Sequence, residues 1–139
     1  MRPFRGKRKD NGEWVYGWYA LEPNIGDVIL TESEEMHGLL IEVEVIPETV
    51  GQATGLHDKK KECYAGDVVA VKDGDGNARG FVLWNKKMGQ WNWCCTEEDK
   101  ALAIDIGRQI PLWKILDWQY RFRGEIIGNI HDDPKLEKN

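Results

Sequence analysis

Asp67-Val68-Val69-Ala70-Val71-Lys72-Asp73-Gly74-Asp75-Gly76-Asn77, followed by Phe81-Val82-Leu83-Trp84 and Gln90-Trp91-Asn92-Trp93, decides the fold. Residues 68–71 are apolar without a break, so a strand there is buried on both faces and belongs in the middle of a sheet. The run Asp73-Gly74-Asp75-Gly76-Asn77 supplies the positive φ values of a hairpin turn, and 81–84 returns antiparallel. Met88-Gly89 marks a second turn. Strict alternation beyond it puts Trp91, Trp93 and Cys95 on one face of a third strand.

Toward the C-terminus, Thr96 followed by Glu97, Glu98 and Asp99 predicts a short helix to about Ile104, because a hydroxyl cap and acids suit the positive end of a helix. Leu112, Ile115 and Leu116 have helical spacing, but the run is too short to choose between helix and irregular chain. Tyr120, Phe122, Ile126 and Ile130 alternate with Arg121, Arg123, Glu125 and Asn129, which predicts a long closing strand ended by His131-Asp132-Asp133-Pro134.

Toward the N-terminus, Asn11-Gly12 is a turn, and Trp14, Tyr16, Trp18 and Ala20 then share a strand face. A second strand sets Leu39, Ile41, Val43 and Val45 against Leu40, Glu42, Glu44 and Ile46. Between the halves, 47–62 carries neither period and is expected to be a connector. The fold expected is mostly β with minor α. Residues 58–139 form a small SH3-like barrel, which leaves few unpaired edges, and 1–57 an N-terminal β extension or sheet with a junction loop.

Composition limits what this fold can do. A chain of 139 residues with 41% hydrophobic and 31% charged side chains is one domain or two very small ones, neither disordered nor a large enzyme. No stretch approaches the roughly 20 apolar residues of a membrane span, and the basic start has no apolar run after it, so a cytoplasmic protein is expected. Three cysteines, Cys63, Cys94 and Cys95, suit reduced thiols better than a disulfide framework. Seven tryptophans suggest a core, each with an N–H that needs a partner. The net charge of -5 is uneven: residues 1–19 carry +3, 20–58 carry -9 with no Lys or Arg, and 59–139 carry +1.

The stretch Ile46-Pro47-Glu48-Thr49-Val50-Gly51-Gln52-Ala53-Thr54-Gly55-Leu56, with Asp58-Lys59 and then Glu62-Cys63-Tyr64-Ala65-Gly66-Asp67-Val68-Val69, resembles the signature of the YopX-like family of phage and prophage proteins. Phe4-Arg5-Gly6-Lys7 with Asn11-Gly12-Glu13-Trp14-Val15-Tyr16-Gly17 resembles the family's opening, and Ile126-Ile127-Gly128-Asn129-Ile130 before Asp132-Asp133-Pro134 its ending. Lys59, Lys60 and Lys61 depart from the usual Asn-Gly turn, and Ala53, Cys63 and Ala65 from the usual aromatic, aliphatic and Glu. The resemblance implies an SH3-type C-terminal half, an origin in temperate phages or integrated elements, and no established biochemical activity.

Chemistry is sparse. The cysteine spacing does not suit zinc, and Asp73, Asp75 and Gly76 lack the later ligands of a calcium loop, since Trp84 stands where its Glu belongs. His37, His57 and His131 have no nucleophile signature beside them, and Gly51-Gln52-Ala53-Thr54-Gly55 lacks a phosphate-binding lysine. No catalytic residue, metal or cofactor is therefore assigned. Thr49, Gln52 and Thr54 form a candidate junction loop, either a linker satisfying backbone groups or a ligand-contacting loop.

The leading expectation is a non-enzymatic phage or prophage accessory protein in the bacterial host cytoplasm. It acts by binding a host or phage protein and by forming a homo-oligomer through an aromatic or strand-edge surface. A second reading is a single-stranded or duplex nucleic-acid-binding module, with Trp91 and Trp93 stacking and Lys86, Lys87, Arg121 and Arg123 neutralising phosphates. A third is an antagonist of a host protein whose acidic block 22–48 imitates a phosphate backbone. None involves a membrane.

Overall fold

Short alternating segments with glycine at their corners form two antiparallel sheets in the computed structural model, which describes residues 3–98, 102, 104–118 and 122–133. The chain divides into two compact units, Met1–Ala53 and Thr54–Asn139.

In the first unit, β1 (Phe4–Lys7), β2 (Trp14–Glu22), β3 (Gly26–Glu32), β4 (Leu40–Glu44) and the start of β5 (Gly51–His57) lie in the order β4-β3-β2-β1-β5. Val15, Ile29, Val43 and Val45 form its core, with Phe4 and Val50 packed against them. The face carrying Trp14, Tyr16 and Trp18 is the opposite one, so the strand buries Val15 and Gly17 while Trp18 stands exposed. A side chain at Gly17 would overlap the carbonyl oxygen of Leu30 on the neighbouring strand, and only glycine fits. β3 has no polar/apolar alternation because Val28 and Ile29, at 1% and 0% exposure, are buried on both faces.

Residues 47–62 correct the expected connector. Pro47–Thr49 is a 3-10 turn and Gly51–His57 is a strand. β5 joins the sheet through pairs with β1, Gln52 opposite Phe4 and Gly51 opposite Arg5. Such long-range pairing leaves no period in a segment built from Gly51, Gln52, Thr54 and Gly55.

In the second unit, the end of β5 pairs with β6 (Glu62–Tyr64). A five-stranded sheet follows with β7 (Asp67–Asp73), β8 (Gly76–Asn85), β9 (Gln90–Glu97), β10 (Gln109–Pro111) and β11 (Glu125–Asn129), in the order β10-β9-β8-β7-β11. β7 is interior, as its apolar run predicts, and Gly74 and Gly89 take positive φ at the two turns. Val69, Val71, Val82, Trp93 and Cys95 make the sheet's core face, covered in part by Leu112, Ile115 and Leu116 of α1 (Leu112–Leu116). That helix resolves the choice left open at 111–118.

Among the described residues the sheet does not close, which corrects the expected barrel. Its edges are β10 and β11, and each is blunted: β10 is three residues long and ends in Pro111, which has no N–H. β11 has a register break between Ile126 and Gly128, and the outward N–H of Ile126 donates to Asp58 Oδ2 at 2.9 Å. Short, capped edges do the protective work that closure would do.

Two further expectations are corrected. Thr96 does not start a helix, because β9 runs on to Glu97; of the helix expected to about Ile104, residues 99–101 and 103 lie outside the described residues. The buried Thr96 hydroxyl donates to the Arg79 carbonyl, and Arg79 pairs with Glu97, so cross-strand partners outcompete the local cap. The closing strand is only Glu125–Asn129. Phe122 lies outside it, Gly124 donates its N–H to the Ile115 carbonyl, and Tyr120 and Arg121 lie outside the described residues. The tryptophans depart from a core role as well: Trp93 is wholly buried, while Trp18, Trp84, Trp113 and Trp118 are exposed. Among the described residues, no helix is long and apolar enough to cross a membrane.

Candidate functional site

Alternation along β9 does put Trp91 and Trp93 on one face, and that face is the core side. Trp93 is 0% exposed and its Nε1–H donates to the Val69 carbonyl at 3.0 Å, so it presents nothing to a ligand. Trp91, near the hairpin end, is half-buried and meets the Trp84 ring edge-on at 5.2 Å between centroids. Lys86 and Lys87 are exposed in the β8–β9 turn, Arg123 is exposed, and Arg121 lies outside the described residues. The structure gives no stacking pair at Trp91 and Trp93.

The junction residues behave as structural groups. Thr49 Oγ1 accepts the Lys7 N–H at 2.8 Å and donates to the Ile46 carbonyl at 2.6 Å. Thr54 Oγ1 donates to the Cys63 carbonyl at 3.0 Å and accepts the Leu56 N–H. Gln52 is exposed on β5. Among the described residues no group of three or more His, Cys, Asp or Glu could hold a metal ion. Burial pushes the Cys94 and Cys95 thiols up, away from the thiolate form.

Two surfaces that local sequence does not reveal stand out. The first is a groove of about 420 Å³ in the second unit, lined chiefly by Leu56, His57, Asp58, Lys59, Trp113 and Trp118. Trp113 and Trp118 are 45% and 37% exposed. Trp118 is fixed by its Nε1–H, which donates to the Gly124 carbonyl at 3.1 Å. Lys59 Nζ lies 4.0 Å from the Trp118 ring centroid, and Lys114 Nζ lies 5.4 Å from that of Trp113. Asp58 holds the turn beneath: Oδ1 accepts the N–H groups of Lys60 and Lys61 at 2.7 and 2.6 Å, and Oδ2 that of Ile126. Its burial opposes ionisation, but the three backbone donors and nearby Lys61 prevail and hold the carboxyl below its ordinary value. Residues more than 50 positions apart meet here, so no motif could have announced the groove.

The second is a groove of about 450 Å³ along the outer side of β4, lined by Arg8, Lys9, Asp10, Ile41, Glu42 and Glu44 among others. Val45 donates its N–H to the Asp27 carbonyl of β3, so by alternation the backbone groups of Ile41 and Val43 also face β3. Those of Leu40, Glu42 and Glu44 face outward. The Glu44 carbonyl accepts the Lys9 N–H at 3.0 Å, which leaves Leu40 and Glu42 as the open part of the edge. Leu39, Leu40 and Ile41 are exposed there, with Met36 in the preceding turn. The acidic block contributes Glu32, Glu34 and Glu35 to a separate hollow beside Trp14 and Tyr16.

Neither a curated protein nor a solved structure matches the chain. The family model described as YopX protein matches residues 3–137, nearly the whole length, and the chain belongs to the YopX family.

Proposed function

We propose that this is a non-enzymatic phage or prophage accessory protein that acts by binding protein, and that it associates with itself through the open edge of β4. The observation that carries the reading is an edge strand that couples outward backbone groups at Leu40 and Glu42 to exposed apolar side chains at Leu39, Leu40 and Ile41. A bare apolar edge is a template for another strand, and natural proteins usually blunt it. The two edges of the other sheet are blunted and this one is not.

A second copy fits by two-fold symmetry. Antiparallel pairing centred on Ile41 sets Leu40 of one chain opposite Glu42 of the other, with no glutamate directly facing glutamate. The same edge would take an extended segment of a host or phage partner.

Static light scattering over a concentration series from low micromolar to millimolar tests this. The wild type is expected to rise from monomer to dimer mass. Glu42→Pro removes an outward N–H without touching the β3 ladder and should hold the protein monomeric with an unchanged circular dichroism spectrum. Leu40→Glu should do the same by setting a glutamate directly opposite Glu42 of the other chain, a like-charge pair across the strands. A wild type that stays monomeric throughout, or a Glu42→Pro protein that dimerises as well as wild type, excludes the β4 edge.

A further inference from the structure

We infer that the groove between Trp113, Trp118 and the lysine turn 59–61 is a binding site for single-stranded nucleic acid. This inference does not depend on the β4 edge, which belongs to the other unit.

Three features converge on that ligand. The first is stacking surface. Two tryptophans stand exposed beside a concave space of about 420 Å³, within the range of clefts that take small planar ligands. Trp118 is oriented by its bond to the Gly124 carbonyl, and Trp113 is carried on α1, so both are positioned before a ligand arrives. A base has a π-face whatever its identity, and stacking on an indole tolerates any sequence.

The second feature is charge. Lys59 lines the groove, Lys60 and Lys61 follow it in the turn, and Lys114 lies over the Trp113 ring; all four are exposed. Only Lys59 is in the lining itself, beside Asp58 and Asp117; with the adjoining Lys60, Lys61 and Lys114 counted, and Glu62 counted against them, the local balance is positive within a chain of net charge -5. Asp58 is withdrawn from the surface, 6% exposed and occupied by three backbone N–H groups. A polyanion meets the ammonium groups first.

The third is spacing between the two chemistries. Lys59 Nζ and Lys114 Nζ sit 4.0 and 5.4 Å from the two rings, so a base stacked on either indole has a cation at hand for its phosphate. A purely apolar partner would have to bury these ammonium groups without a counter-charge, which is costly. An acidic peptide would use the lysines but leave the two indoles without a planar partner. A duplex keeps its bases stacked on one another and cannot offer a face to either ring. Asp58 is a positioning residue in this site: it folds the lysine turn against Ile126 and thereby sets where Lys59 stands.

The test is fluorescence anisotropy of a labelled oligothymidylate of about 12 nucleotides, a length within the usual span of single-strand sites, titrated with the full chain. Oligouridylate, a DNA duplex and inorganic polyphosphate serve as parallel probes. Salt-sensitive binding of the single strands is expected, with log K falling against log salt by about 0.7 per phosphate neutralised. Trp118→Ala should weaken it roughly tenfold, with Trp118→Phe recovering most of the loss, because a phenyl ring still stacks. The double variant Lys59→Gln, Lys60→Gln should weaken binding at least tenfold while leaving the thermal melt in place, since both side chains are exposed and Lys61, whose charge supports the Asp58 carboxylate, is kept. Trp113→Ala, on an exposed face of α1, gives an independent reading if Trp118→Ala unfolds the unit. Absence of salt-sensitive affinity for either single strand at low salt overturns the inference. So does equal binding of duplex or polyphosphate with affinity unmoved by both tryptophan variants, which is the signature of unspecific charge attraction.

Discussion

Trp93→Ala is expected to destabilise the second unit by about 3–5 kcal/mol, the usual cost of removing a large aromatic from a closed core. The ring is wholly buried among Val69, Val71, Val82 and Ile110, and its N–H is satisfied by the Val69 carbonyl. The site is fitted to an indole from the other side too. Gly80 lies against the ring, and a side chain there would overlap both the indole and the Cys94 carbonyl, so Gly80→Ala should also be strongly destabilising. Trp93→Phe keeps most of the apolar volume and loses one hydrogen bond, so a smaller loss is expected, about 1–2 kcal/mol. Urea unfolding, followed by far-ultraviolet circular dichroism so that the signal does not depend on the residue replaced, gives all three values. A Trp93→Ala protein within about 1 kcal/mol of wild type would mean that this tryptophan is not the centre of the core.

The same residue shows what sequence can and cannot disclose here. The strands 67–73, 76–85 and 90–97 were legible because alternation and glycine turns are local signals, and their pairing follows from short loops. Alternation tells which side chains share a face without telling which face the rest of the chain will cover. Trp91 and Trp93 thus read as core first and as a stacking platform second, and packing by Leu112, Ile115 and Ile110 decides for core. Thr96 carries every local mark of a helix cap, and the pairing of Arg79 with Glu97 across the hairpin overrides it. β5 is the opposite case, a strand with no local mark, ordered by β1 some 45 residues earlier. The Trp113–Trp118 groove is illegible for the same reason: Lys59 and Trp118 meet because β5, β6 and α1 fold together, at a separation no motif spans. Barrel closure failed as an expectation because it assumed that an edge must be paired, whereas Pro111 and the Asp58 carboxylate each disarm an edge without a partner strand.

Asp58 is where that edge protection becomes measurable. Asp58→Ala leaves the N–H groups of Lys60, Lys61 and Ile126 without their acceptor, the last of them in a buried setting, and is expected to cost about 2–4 kcal/mol. Asp58→Asn separates charge from geometry. The amide keeps one carbonyl acceptor for the turn but aims an NH₂ group at one of the former donors, so it should recover only part of the loss. The sign of the pH dependence follows from the direction of the shift. The carboxyl is held below its ordinary value in the folded protein, so the unfolded chain takes up the proton first as the pH falls. The stabilisation is complete above the ordinary carboxylate range, near pH 4, and drains away as the pH drops through the lower folded value. The advantage of wild type over Asp58→Asn should accordingly be flat from neutrality down to about pH 5 and shrink below about pH 4. A difference that stayed constant to the acid limit would mean that the carboxylate's charge contributes nothing and that shape alone matters. A difference that grew on acidification would reverse the assigned direction. Because Asp58 also folds the lysine turn, its Ala variant should weaken oligonucleotide binding at neutral pH even under conditions where the protein remains folded, linking the stability of this edge to the placement of Lys59 beside Trp118.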